Sequence, residues 1–133
     1  MLPEAQNFNC YEYLRHCTEV YDDFYMMQHH GVDYMRSEMF QDMEALAAYF
    51  KNVLGLRKGD VYTIFMPTTV QCIVAFYALN KIGVITNFVH PLMSTEFFKE
   101  QIETVHAKGV MVLDILAKDH IKAINESGLP CLV

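Results

Sequence analysis

The chain has 133 residues, 53% of them apolar and 20% charged, with no tryptophan, a size and composition suited to one compact domain with its own core. Its net charge is −6 and no basic run is longer than Arg57-Lys58, which excludes the electrostatic footprint of a nucleic-acid or anionic-membrane binder. The longest apolar run, Ile73 to Leu79, is far short of the about 20 residues that cross a bilayer.

The start, MLPEAQNFN, lacks the basic and apolar regions of a signal peptide. Cys10, Cys17, Cys72 and Cys131 are scattered without a Cys-x-x-Cys pair, which fits a reduced, cytoplasmic compartment. The mean hydropathy of +0.12 is high for a domain of this size. Either the sheet is buried on both faces, or some surface is meant to pack against other protein.

Residues 1–8 precede the first element and are expected to be flexible. Asn9 can cap a short helix ending near Thr18, with Tyr13, Leu14 and Cys17 at helical spacing. Val20 to Met27 reads as a strand on aromatic and β-branched content. Gln28-His29-His30-Gly31 reads as a turn and Val32 to Met35 as the returning strand, together a small hairpin. The next helix is the clearest: Ser37 can cap it, and Met39, Met43, Leu46, Ala47, Phe50 and Leu54 recur every three or four residues. Glu38, Asp42, Glu44 and Lys51 fall on its polar side, and Gly55 is placed to end it.

From there strand and helix alternate. Val61–Met66 is a strand, stopped by Pro67. Thr68 or Thr69 caps a helix to about Ile82, ended by Gly83. Val84–Val89 is a strand, Pro91 interrupts, and Ser94 caps a helix that turns Phe97, Phe98, Ile102 and Val105 inward. Gly109 is expected to end it, with a strand at Val110–Ile115, a helix at Ala117–Glu126 closed by Gly128, and a final strand from Leu129. Nearly continuous apolar strands separated by helices predict an α/β fold: a parallel sheet flanked by helices. We read residues 1–133 as a single partial domain, because the sequence stops at Pro130-Cys131-Leu132-Val133, inside an apolar strand.

In such a sheet a ligand is expected at the carboxyl ends of the strands, so the loops at Pro67-Thr68-Thr69, His90 to Ser94, and Leu116-Ala117 are the ones of interest. None contains a glycine, and a phosphate cradle needs glycines for close backbone approach. His90, just before Pro91 at a strand end, is the single candidate substrate-binding residue. His29-His30 lie side by side at a hairpin tip with no third ligand near in sequence, so a surface reading outweighs a metal site. Asp22-Asp23, as strand neighbours, would face opposite ways and could not share a proton. Cys72 reads as an inert core thiol, and Met39 and Met43 read as core, ahead of an adaptable acyl-packing surface.

Four stretches together resemble the start of the adenylate-forming (AMP-binding) superfamily, and acyl-CoA synthetases within it. They are Asn9-Cys10-Tyr11-Glu12-Tyr13-Leu14; Glu38-Met39-Phe40 through Phe50 with Leu54-Gly55-Leu56-Arg57-Lys58-Gly59-Asp60-Val61; Met66-Pro67 with Ala75 to Val84; and Val89-His90-Pro91 with Ser94 to Ile102. The resemblance runs from residue 10 to 133. The chain departs from the family pattern at Met35-Arg36, where Thr-Tyr is usual, and at Thr68, where Asn is common.

The resemblance implies an amino-terminal fragment of an ATP-dependent carboxylic acid, and more narrowly fatty-acid, CoA ligase working through an acyl-adenylate, with ATP, Mg and coenzyme A as the parent's cofactors. The family's phosphate loop, nucleotide motifs and carboxy-terminal lysine have no counterpart in these residues. No catalytic, cofactor-binding or metal residue is therefore assigned, and the fragment alone is expected to be inactive. Its expected partners are the remainder of the parent enzyme and, through exposed sheet edges and apolar faces, a second copy in a homodimer. A stand-alone, non-catalytic interaction module is the alternative, and a small flavodoxin-like domain is a third reading, disfavoured by the glycine-free loops.

Overall fold

A computed structural model describes residues 7–133. Most of the stretch expected to be flexible, residues 1–8, lies outside the described residues; at its end Phe8 stacks on His16 with ring centroids 5.2 Å apart. Helix α1 (Cys10–Thr18) starts at Asn9 through a reciprocal cap. The Glu12 N–H donates to Asn9 Oδ1 at 2.8 Å and the Asn9 N–H to Glu12 Oε2 at 3.0 Å.

The first strand is shorter than expected. Strand β1 covers Tyr25–His29, and Val20 to Phe24 is an irregular passage. That passage carries Asp23 to the start of helix α2 (Arg36–Asn52), where its carboxylate accepts the Ser37 N–H at 2.9 Å and the Ser37 hydroxyl at 2.5 Å. Ser37 is therefore not the cap; a carboxylate 14 residues upstream fills that role. Strand β2 (Val32–Met35) pairs antiparallel with β1 around a two-residue turn, His30-Gly31. Both turn residues have positive φ, 50° and 78°, as a tight hairpin of this twist demands. The turn is thus shorter than Gln28–Gly31, and His29 belongs to the strand.

Strands β3 (Val61–Phe65), β4 (Ile85–Phe88), β5 (Val110–Val112) and β6 (Cys131–Leu132) form one parallel sheet in the order β4-β3-β5-β6. Helices α3 (Val70–Lys81), α4 (Thr95–Thr104) and α5 (Asp114–Ser127) make the crossovers. Thr69 caps α3, its hydroxyl accepting the Cys72 N–H at 3.2 Å, and Ser94 caps α4. The strands alternate between two cores. Tyr62, Ile64 and Met111 pack with Phe50, Ala75 and Leu79 of α2 and α3, while Phe65, Val110 and Val112 pack with Phe98 and Ile124 of α4 and α5. Both faces of β3 and β5 are covered, which is why their sequences run apolar without alternation.

Other boundaries differ from the sequence reading. Gly109 does not end α4; His106 does, at φ 51°. Gly109 is required for another reason: a Cβ there would lie 2.5 Å from the Tyr62 ring. β5 stops at Val112 and α5 begins at Asp114, so Leu116-Ala117 lies within a helix and offers no loop. Phe97 is 38% exposed rather than inward, one position off the buried stripe of Phe98 and Ile102. No helix among the described residues is long and apolar enough to cross a membrane.

Candidate functional site

The carboxyl ends of β3 and β4 lead into Met66-Pro67-Thr68 and Val89-His90-Pro91, and these two loops form one side of a cavity of about 950 Å³. Its other walls come from far along the chain. Leu14 of α1, Met26 and Met27 of β1, Met39 of α2, and Ile73, Phe76 and Tyr77 of α3 all reach it. The lining is predominantly apolar, and four thioethers (Met26, Met27, Met39, Met66) give it a deformable surface. Volume and lining match a small-molecule site with few polar groups.

His90 stands at this cavity, where the sequence placed it. It is exposed, and its Nδ1 accepts the Leu92 N–H at 3.2 Å. In the neutral ring that bond puts the proton on Nε2, so the imidazole offers one N–H donor. Thr68, also exposed, adds a hydroxyl to the same wall. Cys72 lines the cavity as well but is buried, and burial raises its thiol pKa, as an inert thiol requires. Met39 is both a core residue, 1% exposed, and a wall of the cavity.

The remaining candidates lie elsewhere. His29 and His30 do not splay apart; their rings meet edge to face with centroids 4.2 Å apart at the hairpin tip. Asp22 and Asp23 are not on a strand, and Asp23 is engaged by Ser37, whose hydrogen bonds lower its pKa. The two loops at the cavity contain no glycine, and no three His, Cys, Asp or Glu side chains among the described residues come together as ligands.

Glu44, which helical spacing assigned to the polar side of α2, centres a polar cluster outside the cavity lining. Glu44 of α2 accepts hydrogen bonds from the Tyr11 hydroxyl and from Lys81 Nζ, and Arg15 Nη1 approaches it at 3.2 Å. The Tyr11 N–H donates to Asn80 Oδ1 at 2.9 Å. Together these bonds tie α1, α2 and α3, which supply part of the cavity wall, into one block. Lys81 also lies over the Tyr11 ring, 4.8 Å from its centroid.

A parallel sheet flanked by helices, with a mostly apolar pocket at the carboxyl ends of two strands, defines the class: an α/β protein with a candidate small-molecule site. The AMP-binding enzyme family model matches residues 15–131, and the chain belongs to that family. A long-chain-fatty-acid–CoA ligase of Escherichia coli O6:H1 is 28% identical over 85 residues, 64% of this chain and 15% of that protein. An acetyl-coenzyme A synthetase of Syntrophus aciditrophicus is 33% identical over 82 residues, 59% of this chain and 13% of that protein. A benzoate CoA ligase from Burkholderia xenovorans has the same fold, with a TM-score of 0.86 over 93% of this chain and 25% of that chain, at 19% identity. The chain thus spans only a small part of the length of the relatives it matches.

Proposed function

We propose that this chain supplies the amino-terminal α/β layer of a cytoplasmic, ATP-dependent acid–thiol ligase, and that the cavity holds the apolar tail of the acid. The ligase joins a carboxylic acid, here a fatty acid, to coenzyme A through an acyl-adenylate. The observation that carries the reading is the cavity itself: about 950 Å³ of apolar, methionine-rich space at the carboxyl strand ends of a chain from the AMP-binding family. The Nε2–H of His90 is the donor suited to a carboxylate at the mouth. The four cysteines, all free, agree with a reducing compartment. ATP, Mg and coenzyme A are left to the remainder of the enzyme, because the loops here do not fit a phosphate or a metal.

Titration of methyl-labelled protein with saturated fatty acids tests this. Decanoate should shift the Met26, Met27, Met39 and Met66 methyl signals saturably and leave Met111, which does not line the cavity, in place. Burial is worth about 0.8 kcal/mol per CH₂, so affinity should rise by up to about fourfold per added carbon. Ile73→Asp, which puts an unpaired charge in the apolar wall, should weaken the binding sharply. Absence of saturable shifts at millimolar decanoate would remove the acid-binding role.

A further inference from the structure

Among the described residues, strand β4 forms one margin of the sheet, with β3 as its only strand neighbour. The Ile85 N–H donates to Asp60 O at 2.8 Å and the Val89 N–H to Ile64 O at 3.0 Å, so positions 85, 87 and 89 turn their peptide groups toward β3. By the alternation of a strand, the N–H and C=O of Thr86 and Phe88 point away from the sheet. Among the described residues no other strand pairs with them.

Open sheet edges are ordinarily blunted by a lysine, a proline, an inward charge or a bulge. Between Val84 and Val89 there is no charged residue and no proline, and the register with β3 runs unbroken over four pairs. Ile85 and Phe88 are 56% and 54% exposed on this margin. The other margin, β6, has only two residues.

We propose that the β4 edge pairs antiparallel with β4 of a second copy, about a two-fold axis passing at Asn87. Two conditions fix this register. Opposed side chains must lie on the same face of the joined sheet, and opposed peptide groups must both point outward. Both are met when Thr86 stands opposite Phe88 of the partner subunit and Phe88 opposite Thr86 of the partner subunit. Each opposed pair exchanges both main-chain hydrogen bonds, and the two four-stranded sheets continue into one. The contact is self-complementary, as a two-fold interface must be. It brings no charged side chain of the strand against its like, so the −6 on each copy is not concentrated at the seam. Phe88 also lines the cavity, but the pairing is made by main-chain groups of the edge and does not rest on the ligase reading.

The test is sedimentation of the 133-residue chain together with amide hydrogen exchange. Phe88→Pro removes an outward N–H that β3 does not use, at an edge position where proline is tolerated. The wild-type chain should sediment as a dimer at micromolar concentration and Phe88→Pro as a monomer with an unchanged circular dichroism spectrum. Exchange at the Thr86 and Phe88 amides should slow by about tenfold or more as dimer forms, while that of Asn87, already bonded to β3, should not change. A wild-type monomer, a dimer that persists in Phe88→Pro, or a dimer whose Thr86 and Phe88 amides exchange freely would each overturn the proposal. If the variant fails to fold, the wild-type exchange pattern decides alone.

Discussion

Glu44 lies among Glu38, Asp42 and Lys51 on the side of α2 that helical spacing assigns to water, yet it joins three helices. Its partners Tyr11, Arg15 and Lys81 stand 33, 29 and 37 residues away. No local pattern announces such a contact, and that is why the sequence reading passes over it. The hydrogen bonds from Lys81 and then Tyr11 hold the Glu44 carboxyl below its ordinary 4.5. A depressed carboxyl stabilises the fold above its unfolded pKa, and the contribution is lost as pH falls through the folded value. Glu44 is 41% exposed, so the neutral-pH effect of Glu44→Gln should be modest, about 1 kcal/mol. Urea titrations should show that difference in full at pH 7 and see it shrink as the pH drops below 4.5. A difference independent of pH would mean that the charge of Glu44 is not what ties the helices. His90 is the converse case: a strand-end rule located it from sequence, because its position depends only on where β4 stops.

Elements with their own punctuation were the most legible. Asn9, Thr69 and Ser94 each cap the helix expected of them, and Gly128 closes α5 in the left-handed conformation at φ 66°. The boundaries that moved are those governed by distant or atypical residues. α2 is capped from Asp23, and the left-handed residue after α4 is His106 where a glycine was expected. The Val20–Phe24 passage has strand-forming composition, but drawing Asp23 to the α2 terminus bends it out of the hairpin. Two hydrogen bonds to an exposed helix start are involved, and side-chain caps contribute about 1 kcal/mol, up to about 2. Asp23→Ala should therefore lower the thermal midpoint by several degrees, and Asp23→Asn should recover part of the loss. An unchanged midpoint in Asp23→Ala would show that α2 starts without this cap.

At the scale of the whole molecule, the class of fold followed from rhythm alone: apolar strands, helices between them, and glycines or prolines at the joins. The strand order did not. Placing β4 at a margin beside β3, with β5 on the other side, depends on how the crossovers pack, and an apolar run such as Val84–Val89 reads the same at an edge or in the middle. The cavity was equally hidden, since its walls come from α1, β1, α2, α3 and two loops, and only Pro67-Thr68 and His90-Pro91 were flagged by position. Met26 and Met27, in a hairpin otherwise rich in polar residues, were the available signal.

Under the proposed reading, the apolar end of an acid is held here and the phosphate chemistry falls to the rest of the ligase. The most direct measurement is carboxylate-dependent exchange of labelled pyrophosphate into ATP by the purified 133-residue chain. The account predicts no exchange with decanoate at concentrations that shift the cavity methionines. Sustained exchange that requires the acid would contradict it, because the phosphate site would then have to lie within these residues.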